Sequence, residues 1–248
     1  MLNQSAIVFL GLALAGVGTC GTEVPDHVIA VRSVTLKPAR GSAILAEVEL
    51  VNNGSETITA YTTTVTLQYP DGRAVSQSVT TDVVYLLGMD RIGFAHPTEV
   101  RFDPGVVTVE HVALSANRET GPAATATAKV EMVAMEDGSA LGAPEYIRNL
   151  QTERSRDADV MDDVVLVLGD LLQAPEPRSE LKNAIARRMA SERRSSQLQA
   201  ILAPVVADGA HIDVALKLYK ARRDICREHA ILKVRRVDNP EGKEGDIQ

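Results

Sequence analysis

The sequence predicts an α+β protein, with an N-terminal antiparallel β-sandwich over residues 24–142 and a helical segment over 143–235 holding about three amphipathic α-helices. Three observations carry that prediction. Short apolar–polar alternations of period two recur through the first half, broken by turn residues at intervals of about eight to twelve positions. After Glu136-Asp137-Gly138-Ser139 the apolar period becomes three and four, the spacing of helices with one buried face. Tyr69-Pro70-Asp71-Gly72, Asp103-Pro104-Gly105 and Pro175-Glu176-Pro177 mark joins between these patterns.

Residues 1–20 read as an export leader. Ala6 to Val17 is an apolar run of about twelve residues, the length of a signal-peptide core and too short to span a bilayer as a helix. Ala13-Leu14-Ala15 offers a small-x-small cleavage site. Val17-Gly18-Thr19-Cys20 is similar to a bacterial lipobox, with threonine where glycine or alanine is usual, and makes Cys20 a candidate for lipidation. Simple cleavage is ranked ahead of a lipid anchor, and a retained leader third. The expected location is outside the cytoplasm, periplasmic or extracellular, with the membrane reached only through a lipid on Cys20.

The strand pattern is clearest from Ala43 to Gly72. Ile44, Ala46, Val48 and Leu50 alternate with Glu47 and Glu49, as in a strand with one face on a core. Asn52-Asn53-Gly54-Ser55 supplies turn residues, and a hairpin is expected there. The returning strand sets Tyr61, Val65, Leu67 and Tyr69 against a threonine-rich face, and Tyr69-Pro70-Asp71-Gly72 closes it. Strand, N-N-G-S turn, threonine-rich strand and Y-P-D-G turn together resemble the immunoglobulin-like modules, CARDB type included, of bacterial cell-surface and secreted proteins. The resemblance covers roughly residues 28 to 135. It implies an antiparallel immunoglobulin-like sandwich and carries over no catalytic residue.

Further along, Arg73 to Thr81 reads as a polar edge strand, and Val83 to Leu87 as either a buried strand or one helical turn. Gly88 to Pro97 reads as a loop and Thr98 to Phe102 as a short strand stopped by Asp103-Pro104-Gly105. Val106 to Leu114 follows as a strand. Then Ala124, Ala126, Ala128, Val130, Met132 and Ala134 form one apolar face. Pro144 and Glu145 open the first helix, with a polar gap from Gln151 to Asp159 as a place of interruption. A second helix is expected from Leu181 and a third from about Ala210 to Leu232; residues 236–248 form a loose tail.

Composition narrows the function. Aromatic residues are 3% of the chain, which disfavours a stacking platform for sugars or bases. Residues 21–142 hold 8 Lys/Arg against 15 Asp/Glu, and residues 143–248 hold 18 of each, so the β-half is acidic and nucleic acid is not an expected partner.

The five histidines, His27, His96, His111, His211 and His229, show no metal-ligand spacing, and no cofactor, metal or catalytic residue is assigned. Glu136, Asp137, Ser139 and Glu145 carry oxygens suited to Ca²⁺, but a capped turn explains the first three. Asn53-Gly54-Ser55 fits the glycosylation sequon and equally the turn. Cys226 shares a helical stripe with Ile212, Ala215, Leu216 and Tyr219, which favours packing over reactivity despite Arg222, Arg223, Arg227 and His229 nearby. The clusters at Arg187, Arg188, Arg193 and Arg194, and at Lys217, Lys220, Arg222 and Arg223, read as helix faces balanced by Asp157, Asp159, Asp162 and Asp163.

The expected function is a non-catalytic binding or scaffold module that meets a protein partner in the cell envelope. The alternative is a hydrolase-type enzyme with a site around His96, Asp103 and His111. A chaperone-like use of the helices stands third.

Overall fold

The computed structural model describes residues 23–38, 43–93, 101–115, 125–173 and 212–235. The leader with Cys20, the histidines His96 and His211, the helix expected from Leu181 with its arginines, and the tail 236–248 lie outside the described residues. The protein is α+β, with two sheets in its first half. Residues described within 83–100 and 149–231 form one compact unit; those of 23–82, 101–148 and 232–235 form the other.

In the second unit, strands β1 (Ile29–Pro38), β2 (Ala43–Asn52) and β5 (Val107–Ser115) make an antiparallel sheet in the order β1-β2-β5. The other sheet runs β4-β3-β6-β7-β8, from β4 (Ala74–Asp82), β3 (Ile58–Gln68), β6 (Thr125–Met135), β7 (Ser139–Gly142) and the two-residue β8 (Lys233–Val234). Among the described residues, only β7 and β8 pair in parallel.

Both sheets feed one core. Ala46, Val48, Leu50, Val112 and Leu114 come from the first sheet, and Tyr61, Val65, Leu67, Val79, Val130 and Val133 from the second. On the other face of β3, hydroxyls replace apolar groups: Thr62 pairs with Thr80, Thr64 with Ser78 and Thr66 with Ser76, each at 2.8 Å. Such cross-strand pairs stabilise a face that is not filled by apolar packing.

Several expectations are corrected. The N-N-G-S stretch is not a hairpin turn, because β2 and β3 belong to different sheets and the chain crosses between them at Asn52. The apolar face expected along β6 changes sides partway. Opposite Thr62 and Thr63 stand Met132 and Val130, so Glu131 is an extra, bulged residue. Val130 therefore joins the shared core together with Val133 and Met135, while Met132 and Ala134 are buried outside that cluster. Strand β1, which the sequence reading passed over, has its own irregularity at Arg32 between Val31 and Ser33, which breaks its alternation. Its inward residues are Ile29, Val31, Val34 and Leu36.

Val83 to Leu87, ambiguous in sequence, lies mostly in a helix, α1 (Val84–Arg91), which also takes in Gly88 to Arg91 of the expected loop. Helix α2 (Pro144–Gln173) runs unbroken through the polar gap. Arg154 and Ala158 are buried within that gap, at 1% exposure each, so it presents an inward face despite its composition. The last described helix is α3 (Ile212–Glu228). Among the described residues, no helix is long and apolar enough to cross a membrane.

In the helical unit, Val160, Met161, Val164, Val167, Leu168 and Leu171 of α2 pack with Ile212, Ala215, Leu216 and Tyr219 of α3. Cys226 is buried with Val84, Leu87, Ala158 and Ile225. The basic face of α3 is matched by acids of α2: Arg222 with Asp157 at 3.5 Å, and Arg223 and Arg227 with Asp162. Arg222 also lies over the Tyr85 ring, 5.4 Å from its centroid.

Candidate functional site

One end of the β-unit gathers the chain segments around Asp26, Asn53, Asp103, Asp137 and Arg235. Asn52 organises it. Fully buried, Asn52 donates through Nδ2 to Glu56 O and Phe102 O, both at 2.8 Å, and accepts from Gly54 N–H at 2.9 Å. Its own carbonyl accepts from Gly105 N–H at 2.7 Å, and its N–H donates to Val106 O at 3.1 Å. An asparagine serves here because it alone among residues of its size gives two donors and an acceptor to surrounding backbone. Beside it, the N–H groups of Asn53 and Gly54 both donate to Val28 O at 3.0 Å, and Asn53 Nδ2 donates to Asp26 O at 2.8 Å.

The acidic turns are fixed by their own hydrogen bonds. Asp103 Oδ1 accepts from Thr57 Oγ1 at 2.6 Å and pairs with Arg101 Nε at 3.3 Å; Arg101 reaches Glu136 at 3.0 Å as well. Asp137 accepts from the Ser139 N–H at 2.9 Å and hydroxyl at 2.6 Å, the capped turn foreseen for this stretch. Burial pushes the Asp137 carboxyl up, but the Ser139 bonds and the Arg235 guanidinium outweigh it and hold the group down at about 2. Among the described residues there is no group of three His, Cys, Asp or Glu side chains arranged to hold a metal ion.

Arg235 bridges the end. Its Nη2 donates to Glu56 Oε1 at 2.8 Å and to Asp137 Oδ2 at 2.5 Å. Hydrogen bonding to Glu56, ahead of Asp137, raises its already high pKa, so it remains a cation. It directly follows β8, and the backbone there is held at β7 and the turn before it by Lys233 N–H to Gly138 O at 2.9 Å and Arg235 N–H to Ala140 O at 2.8 Å. Between these groups opens a cleft of 490 Å³. Apolar Val28, Ile58, Met135 and Leu141 line it together with Glu56 and Arg235. A volume in the range of about 300–1,000 Å³ suits a small ligand or a few side chains of a protein partner.

Residues singled out for chemistry are dispersed. His111 is exposed on β5, where its Nε2 lies 3.4 Å from Glu47 Oε1, a carboxylate also bonded by Lys37 at 2.7 Å. Asp103 has Thr57 and Arg101 for partners instead, so among the described residues the two share none. The cleft was missed by sequence reading because its two most polar residues, Glu56 and Arg235, are separated by most of the chain; no local pattern links them.

No protein family matches this sequence, and neither a curated protein nor a solved structure is similar to it.

Proposed function

We propose that this chain is a non-catalytic binding or scaffold module of the bacterial cell envelope, built on an immunoglobulin-like sandwich of CARDB type and exported by the leader at 1–20. It meets a protein partner through the loop end of the β-unit. The observation that carries the reading is the cleft there, with an apolar lining beside a charged arginine and its carboxylates. Loops at the end of a rigid β-scaffold are where binding residues concentrate. Further support comes from Asp103 and Asp137, whose carboxylates are engaged in turn hydrogen bonds and arginine pairs. Residues fixed in this way shape a surface.

Photo-crosslinking in the native cell tests this reading. A crosslinker replacing exposed Ser55, in the cleft lining, is expected to give a discrete protein adduct in the envelope fraction. The same group at Ser76, exposed on edge strand β4, serves as the control and should give none. Equal labelling from both positions, or none from Ser55, overturns the proposal. Intact mass of the recovered protein reads its processing: loss of the leader supports export, and an acylated Cys20 adds a membrane tether. An intact Met1 in the cytosol would remove the envelope from the reading.

A further inference from the structure

We infer that Glu56 and Asp137 form a receptor for one guanidinium or ammonium group of a partner polypeptide, occupied in this chain by its own Arg235, while the adjoining cleft takes an apolar side chain. This rests on the loop end being the binding surface. The occupant is an extended segment in which a basic residue neighbours an apolar one.

Four observations point to it. First, the two carboxylates converge on a single nitrogen, Arg235 Nη2, which is the geometry of a cation site already filled. Second, the filler is weakly tethered. Arg235 is 42% exposed and follows a two-residue parallel strand whose residues are both exposed. Parallel pairing is the less stable kind, and a strand this short contributes few hydrogen bonds. Third, Glu56 is only half satisfied: Oε1 has Arg235, whereas Oε2 has no donor, so Arg235 leaves the carboxylate with unused hydrogen-bonding capacity. Fourth, Asp26, Glu56, Asp103, Glu136 and Asp137 at this end outnumber Arg101, Lys233 and Arg235, so the field favours an incoming cation. Val28, Ile58, Met135 and Leu141 then give the neighbouring apolar residue its seat.

The test uses the full chain and fluorescein-labelled heptapeptides of alternating lysine and valine, or glutamate and valine, read by anisotropy. The lysine peptide is expected to bind and the glutamate peptide not. Glu56→Gln should weaken binding several-fold. Glu49→Gln removes the same charge from the outer face of β2, where Glu49 meets Arg32 and Ser33, and should leave binding unchanged. The deciding variant is Arg235→Gln. By emptying the receptor it should tighten binding several-fold, because the fraction of competent sites rises; Arg235→Lys, which keeps a cation in place, should stay near the parent. Weaker binding by Arg235→Gln would make Arg235 an anion contact and overturn the inference. Equal losses from Glu49→Gln and Glu56→Gln would reduce the effect to general charge attraction and overturn it too. If Ser55 crosslinks a partner but no lysine peptide binds, this inference falls and the binding-module reading stands.

Discussion

Replacing Asn52 tests the architecture of the loop end most directly. Asn52→Ala removes three hydrogen bonds, each worth about 1 kcal/mol net. Their former partners differ in what they lose. Phe102 O keeps the N–H of Ile58, and Gly54 N–H keeps Val28 O, both at 3.0 Å. Glu56 O has no second donor among the described hydrogen bonds, so it adds a desolvation penalty of about 1–3 kcal/mol. The expected loss is therefore about 4–6 kcal/mol, a large part of the roughly 5–15 kcal/mol that holds a typical domain. Asn52→Asp keeps the shape but turns two donors into an acceptor facing two carbonyls. Burial and those carbonyls raise the folded-state pKa of the new carboxyl above its unfolded value of about 4. Its stability deficit against the parent should therefore be smallest below pH 4 and widen as pH rises towards 7. Urea denaturation of both variants at pH 4 and 7 measures this. A loss under about 1 kcal/mol for Asn52→Ala, or an Asn52→Asp deficit that shrinks as pH rises, refutes the reasoning.

Three further outcomes are expected. Gly142 has φ +112°, and a Cβ there would run into Glu131 O and lie 2.7 Å from Met132 Cα; Gly142→Ala should destabilise the β-unit by roughly 2–4 kcal/mol in thermal melts, combining strain and overlap. Gly88 of α1 sits against α3 with Ala221 O 2.9 Å from where a Cβ would stand, so Gly88→Ala should lower stability by about 1–2 kcal/mol, overlap outweighing the helix-propensity gain of about 1 kcal/mol. Asp137, held down at about 2, contributes stability present above the unfolded carboxylate value and lost as pH falls from about 4 through 2. Being 46% exposed, it is worth at most about 1 kcal/mol, and in Asp137→Asn that part of the acid-induced loss should be absent from melts at pH 5 and pH 2.

Local patterns were legible and long-range pairing was not. The alternation of β2 and β3, the Asp71-Gly72 turn and the stripe of α3 rest on neighbours a few residues apart, so sequence displays them. The crossing at Asn52 was hidden, because the same residues that permit a hairpin also permit a change of sheet. Which one forms depends on Phe102 and Gly105, about fifty residues on. Bulges at Arg32 and Glu131 erased or displaced the alternation that would have announced β1 and predicted the far end of β6. Strand β7, four residues of Ser-Ala-Leu-Gly, is too short to show a period at all. The polar gap in α2 misled because Arg154 is buried there, donating to His229 O at 3.1 Å, in a position where periodicity expects an apolar side chain. For the cleft, only the acidic bias of the β-half was visible; the meeting of Arg235 with Glu56 and Asp137 was not.

The order of the strands has a consequence for biosynthesis. Strand β8 is separated from β7 by about ninety residues of chain, roughly 5–20 s of ribosomal elongation. Through that interval the nascent sheet carries an open margin at Ser139 and Ala140, whose neighbouring carbonyls at Gly138 and Ala140 have not yet met the N–H groups of Lys233 and Arg235. Exposed margins of this kind recruit foreign strands. Lys233, Val234 and Arg235 therefore act as a seal on that margin, and a nascent chain stalled before them leaves it open to misassembly.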